Sequence, residues 1–139
     1  MQKILLILTE FPPRIGGMQT HAVNLVRCLL RRRFEVAVVT YRASGRDEIS
    51  AIDGFDTHFP CPIHRVLSRI GHIQNIRRLI KVSKEFEPDL IYTSTVFYGI
   101  VGERLGIPMV ARSVGNDVQR PWIVYPFSFM SRLTSHPIL

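Results

Sequence analysis

The stretch Lys3-Ile4-Leu5-Leu6-Ile7-Leu8-Thr9-Glu10-Phe11-Pro12-Pro13-Arg14-Ile15-Gly16-Gly17-Met18-Gln19-Thr20-His21 decides the fold. Lys3 to Leu8 is a nearly unbroken apolar run, the mark of a strand buried on both faces. The run is too short to span a membrane. It ends in Thr9-Glu10 without a small-residue cleavage site, which argues against a signal peptide. Two prolines and two glycines then force a loop. From Met18 to about Arg32 the period turns helical, with Ala22, Leu25, Val26, Leu29 and Leu30 on one face. Arg31-Arg32-Arg33 closes that helix, where cations suit the negative end of its dipole.

Working outward, Glu35 to Tyr41 holds Val36-Ala37-Val38-Val39, a second buried strand. Strand, glycine loop, helix and strand make one βαβ unit, which is right-handed in nearly all folds. Arg42 to His58 is polar and carries glycine, so it reads as a loop with at most a short helical piece. Thr57–Phe59 and Arg65–Leu67 read as short strands around Pro60-Cys61-Pro62. Arg69 to Phe86 reads as a helix with Ile70, Ile73, Ile76, Ile80 and Val82 inward. Its outer face is basic, through Arg77, Arg78, Lys81 and Lys84. Then come the turn Glu87-Pro88-Asp89, the strand Leu90–Thr93 and a short helix Val96–Leu105 ended by Gly106. A strand Pro108–Ser113 leads to the loop Val114-Gly115-Asn116-Asp117. The tail from Pro121 to Leu139 is rich in apolar and aromatic residues without a clear strand.

This alternation predicts an α/β fold: a Rossmann-like, doubly wound parallel sheet, with no domain boundary inside residues 1–139. Ligands of such sheets sit outside the carboxyl ends of the strands. Three loops meet that description: Glu10–Gly17, Thr93–Thr95 and Val114–Asp117.

Composition narrows the function classes. With 46% hydrophobic and 21% charged residues, the chain can bury a core and is not disordered. A net charge of +7 favours anionic partners, and a solvated basic surface would give the same number. Cys28 and Cys61 lie far apart with no CxxC spacing, and read as reduced, intracellular thiols. The five histidines form no ligand spacing, so no metal is expected. No nucleic-acid motif or interleaved aromatic platform accompanies the basic helix, so nucleic acid is not an expected partner.

The Pro12–His21 segment has two readings. Glycines before a helix let a phosphate approach free backbone N–H groups. The same residues also make a tight strand-to-helix turn that binds nothing. A dinucleotide fingerprint is absent: there is no G-x-G-x-x-G, and the second strand ends in Thr40-Tyr41 without an acidic residue for a ribose. The P-loop pattern is absent too. Gly115-Asn116-Asp117 could face a cleft or form a plain turn. Arg14 suits either an anion or solvent, and His21 either a ligand or a helix cap.

Taken in order, these pieces resemble glycosyltransferase family 4. The resemblance runs from Lys3–Ile7 through Phe11–His21 and Phe34–Thr40, then Glu87–Tyr92, Gly106–Val110 and Gly115–Asp117, nearly the whole chain. It implies the amino-terminal, acceptor-side domain of a GT-B enzyme, in which two Rossmann-like domains face each other across a cleft. Such enzymes take a nucleotide-diphosphate sugar, usually retain anomeric configuration, and need no cofactor or metal. The resemblance implies that Gly16 and Gly17 approach the donor diphosphate. It implies that Asn116 and Asp117 face the reacting sugar or acceptor, with Asp117 the catalytic candidate; Arg14, His21, Thr93 and Ser94 are candidate acceptor or sugar contacts from their own positions. One departure is Val114, where the family often carries a histidine.

The donor domain and the last strands of the first domain are missing from these 139 residues, so the expectation is a fragment inactive by itself. The expected partners are a nucleotide-sugar donor, a glycan or lipid-linked acceptor and a donor-domain polypeptide. The basic helix face and the apolar tail add a peripheral membrane contact, at the inner face of a cytoplasmic membrane. The alternative is a non-catalytic binding or membrane-anchoring subunit that pairs with a separate donor-domain chain.

Overall fold

The computed structural model describes residues 1–113. The apolar runs form the middle of a five-stranded sheet: β1 (Lys3–Ile7), β2 (Glu35–Tyr41), β3 (Ile63–Leu67), β4 (Leu90–Thr93) and β5 (Met109–Ala111). Four helices alternate with them: α1 (Gly17–Arg31), α2 (Arg46–His58), α3 (His72–Phe86) and α4 (Gly99–Leu105), the last preceded by a 3-10 turn at Val96–Tyr98. The strand order is β3-β2-β1-β4-β5, and every pairing is parallel. β1 is central, with Ile7 opposite Val39 on one side and Thr93 on the other.

Alternate residues of the strands feed two cores, because successive side chains leave a strand on opposite faces. Leu5, Ile7, Ala37, Val39 and Ile91 pack beneath α3 and α4 with Leu79, Tyr98 and Val101. Ile4, Leu6, Leu8, Val36 and Val38 pack beneath α1, against Ala22 and Val26. Leu5, Leu6 and Ile7 are all completely buried, as the unbroken apolar run requires. Burying each stabilises the fold by about 1.5–3 kcal/mol relative to exposure.

The structure departs from the sequence reading in four places. Arg46–His58 is a 13-residue helix, not a loop. Its inner face is Ile52 and Phe55, continued by Phe59 just past its end, and both aromatic rings pack edge-on to Phe11 at 5.8 and 5.4 Å. Thr57 and His58 therefore end a helix rather than start a strand. The third strand starts earlier than expected, at Ile63. Helix α3 starts at His72 rather than Arg69, because Gly71 takes a left-handed conformation (φ 87°) that breaks the helix there. Ile70 and Ile73, expected inward, are 86% and 45% exposed, and the inner face belongs to Ile76, Leu79 and Val82.

Both cysteines are free and half-buried. Among the described residues no helix is long and apolar enough to cross a membrane. The loop Val114–Asp117 and the tail from Pro121 lie outside the described residues.

Candidate functional site

In this strand order the chain turns one way from β1 to β2 and the other way to β4, so the crevice between the exits of β1 and β4 is the switch point. The β1 exit loop starts there, has a cis peptide at Pro12–Pro13, and leans toward β3 and α2, where the Pro12 carbonyl accepts from Arg65 at 2.6 Å and Phe11 meets Phe55. The two exits are tied together. The Ser94 amide donates to the Ile7 carbonyl at 2.9 Å. The Thr9 amide donates to Ser94 Oγ at 3.0 Å, and the Thr9 and Ser94 hydroxyls share a bond at 3.1 Å. That shared bond consumes one of the two hydroxyl hydrogens; Ser94 is 7% exposed and Thr9 is half-buried.

Helix α1 begins on the far side of this loop. Its first turn carries no acidic residue and no side-chain cap. The first N–H groups of a helix have no partner within it, and they carry the positive end of its dipole. Gly17 is exposed, and nothing lies within 4 Å of the position a Cβ would take there. Gly16 differs. A Cβ on it would meet Gln19 Oε1 at 2.5 Å, because the Gln19 side chain folds back over it. Glu10 holds that side chain, accepting from Gln19 Nε2 at 2.8 Å. Gly16 thus makes room for Gln19, whereas Gly17 is open to solvent. Neither glycine is sealed inside the protein.

The remaining predicted site residues fall in several places. Ser94 lies at the crevice. Thr93 lies one residue beneath the rim, fully buried, where its hydroxyl donates to the Thr95 carbonyl at 2.9 Å and accepts from the Thr95 amide at 3.2 Å. Arg14 reaches sideways to α2, donating to Glu48 Oε1 at 2.9 Å and Ser44 Oγ at 3.2 Å. The Ser44 amide and then Arg14 hold the Glu48 carboxyl below its ordinary value. His21 is exposed on α1. Asn116 and Asp117 lie outside the described residues. Among the described residues no group of three His, Cys, Asp or Glu side chains could hold a metal.

Sequence reasoning passed over Thr9, Gln19, Tyr41 and Arg69, and treated Glu10 only as the start of a loop. Tyr41 ends β2, and the Arg69 guanidinium lies 4.9 Å from its ring centroid. Burial raises the Tyr41 phenol above its ordinary value, while a hydrogen bond with Tyr98 and the nearby Arg69 charge act the other way. The signal available was position: Thr9, Glu10, Tyr41 and Arg69 all stand within three residues of a strand's carboxyl end.

Comparison with known proteins agrees with this architecture. The Glycosyltransferase Family 4 model matches residues 15–133. No curated protein is significantly similar to the chain in sequence. Among solved structures, sucrose-phosphate synthase from Thermosynechococcus elongatus superposes with a TM-score of 0.59 at 15% identity, over 100% of this chain and 40% of that one. A UDP-GlcNAc 2-epimerase from Neisseria meningitidis gives 0.53 at 12% identity, over 99% of this chain and 39% of that one. The corresponding epimerase from Methanocaldococcus jannaschii gives 0.53 at 15%, over 99% and 37%. The chain therefore spans about two fifths of the length of these structures, and the likeness is one of fold: a Rossmann-like parallel sheet of the GT-B kind. With a family match over most of its length and that sheet beneath it, the chain belongs to glycosyltransferase family 4.

Proposed function

We propose that the chain is the acceptor-side half of a retaining glycosyltransferase, whose transfer requires a second, donor-binding domain facing the switch-point crevice. The observation that carries this reading is the open α1 amino terminus at Gly17, reached by the loop that leaves β1, while the Thr9–Ser94 hydroxyl pair ties the exits of β1 and β4. Amides at a helix start suit the diphosphate of a nucleotide sugar, and a hydroxyl suits a sugar or acceptor oxygen. In this reading Gly16 shapes the loop through Gln19, and Gly17 receives the phosphate. Ser94 contacts acceptor or sugar, joined by His21 and Asn116. Asp117 serves at the reacting centre on the strength of the family resemblance. Arg14 braces the loop against α2, and Thr93 supports Ser94 from below. No cofactor or metal is assigned a role.

The test uses this chain joined to a family donor domain. Incubation with a panel of nucleotide-diphosphate sugars and glycan or lipid-linked acceptors releases nucleotide, and the chain alone releases none. Absence of release across the panel from a well-folded two-domain protein would overturn the reading. Gly17→Val separates ligand from scaffold. A Cβ at Gly17 meets nothing within 4 Å, so the variant is expected to fold, read by its circular dichroism and urea midpoint, while transfer falls about 100-fold as the diphosphate is displaced.

A second reading, an anchoring subunit without its own turnover, draws on the exposed basic side chains Arg77, Lys81 and Lys84 of α3. A pull-down that recovers neither a donor-domain chain nor anionic vesicles removes it.

A further inference from the structure

We propose that the groove between edge strand β3 and helix α3 is a binding site for a phosphate monoester, separate from the switch-point crevice. The groove encloses about 520 Å³, within the range of small-molecule sites. It is lined by residues of three elements: Arg42 just past β2, His64 of β3, and Arg78, Lys81 and Glu85 of α3.

Charge selects the ligand class. Arg65 also lines the groove, but its guanidinium is committed to Asp56 through two bonds of 2.8 Å and to the Pro12 carbonyl at 2.6 Å. Arg42, Arg78 and Lys81 remain, opposed by Glu85 alone, whose carboxylate stands 3.9 Å from Lys81. Three cations against one anion leave a surplus of two positive charges. A phosphate monoester carries roughly −1.5 to −2 at neutral pH, so one such group balances the site. Neither arginine has a carboxylate partner among the described residues.

Two features make this more than a solvated basic face. Arg78 is half-buried and donates at 3.3 Å to Oδ1 of Asn75, itself completely buried, so the guanidinium is positioned before any ligand arrives. β3 is also the outer strand of the sheet, so its outward backbone groups have no strand partner among the described residues and can join the arginines at a phosphate. The main chain of Arg42, just past β2, is held to β3 by its amide, which donates to the Leu67 carbonyl at 2.9 Å, so its side chain starts beside the groove. The site lies on the α3 side of the sheet, two strands from β1.

The phosphate could belong to a soluble sugar phosphate or to a lipid headgroup, and the experiment separates them. The full chain is titrated with glucose 6-phosphate, with glucose as the neutral control, while backbone amide resonances are followed. In parallel, sedimentation is measured with vesicles of phosphatidylcholine alone or with 20% phosphatidic acid, a loading of about one charged lipid in five. Glucose 6-phosphate is expected to shift His64, Val66 and Arg78 saturably, with glucose inert. Arg42→Gln and Arg78→Gln should each weaken binding about tenfold. Vesicle binding that needs phosphatidic acid and is lost in the same two variants, without a soluble-ligand response, assigns the site to a headgroup. Arg42 is exposed, so its variant folds and reads the site even where Arg78→Gln loosens Asn75. Saturable shifts confined to residues 16–20, or binding unchanged in Arg42→Gln, would overturn the proposal. So would no binding in either arm.

Discussion

Asn75 is completely buried and spends both ends of its amide on one turn. Its Oδ1 accepts from the Ser68 amide at 2.8 Å, and its Nδ2 donates to the Ser68 carbonyl at 2.6 Å and to the Tyr98 hydroxyl at 3.0 Å. The side chain thus fixes the β3–α3 connection that carries Arg69 and Gly71. Truncation would take this partner from the part-buried Ser68 amide and carbonyl, and one of its bonds from the Tyr98 hydroxyl, which keeps Tyr41. Asn75→Ala is expected to cost about 2–4 kcal/mol, read as a lower urea midpoint at unchanged slope. A loss below about 1 kcal/mol would show that the turn is held from elsewhere. Nothing in the string Ser68-Arg69-Ile70-Gly71 announces this role, since a buried asparagine and a solvated one are written with the same letter. Thr93 and Ser94 show the same limit. Adjacent small hydroxyl residues at a strand's end both look available, yet both are buried, Thr93 bonding Thr95 and Ser94 bonding Thr9.

Among the elements, α3 ends at Glu87, which caps the helix in the left-handed region (φ 52°, ψ 60°) with its amide on the Ser83 carbonyl at 2.8 Å. A residue with a Cβ is strained there by about 1–2 kcal/mol, and glycine is not. Glu87→Gly is expected to stabilise the fold by about 0.5–1 kcal/mol after its greater unfolded-state entropy is subtracted, measured by thermal or urea unfolding. Pro88, immediately after, ends the helix in any case, and that part of the boundary was readable. Helix α2 was not. Its inner face, Ile52 and Phe55 with Phe59 just past its end, follows a helical spacing, but only these three apolar contacts mark it among acids, Gly54 and Thr57. Packing on Phe11 supplies the stability that local propensity withholds.

For the whole molecule, Cys61 reports on opening of the fold. It sits half-buried at the margin of the α1-side core, and burial pushes its thiol up to about 12. Thiolate is the reactive form, so in a Cys28→Ser background alkylation of the native chain at pH 8 should run about 10³-fold slower than in the unfolded chain. The rate should rise along the urea unfolding curve. Rapid native alkylation would mean that this margin opens without global unfolding. At this scale the sequence was most legible, because β1, β2 and β4 are short apolar runs between helical periods and parallel strands demand that pattern. The site was less so. A crevice joins residues distant in the chain, Thr9 with Ser94, and no local spacing encodes that meeting.

The central place of β1 has a consequence for synthesis. Its first neighbour begins at Glu35, but its second, β4, begins at Leu90, and the Lys3 amide finally meets the Asp89 carboxylate at 2.8 Å across a gap of 86 residues. At about 5–20 residues per second, a ribosome needs roughly 4–17 s to make that stretch. Throughout that interval Ile4 to Leu8 have at least one open edge, so β1 is where a holding chaperone would find a long-lived target.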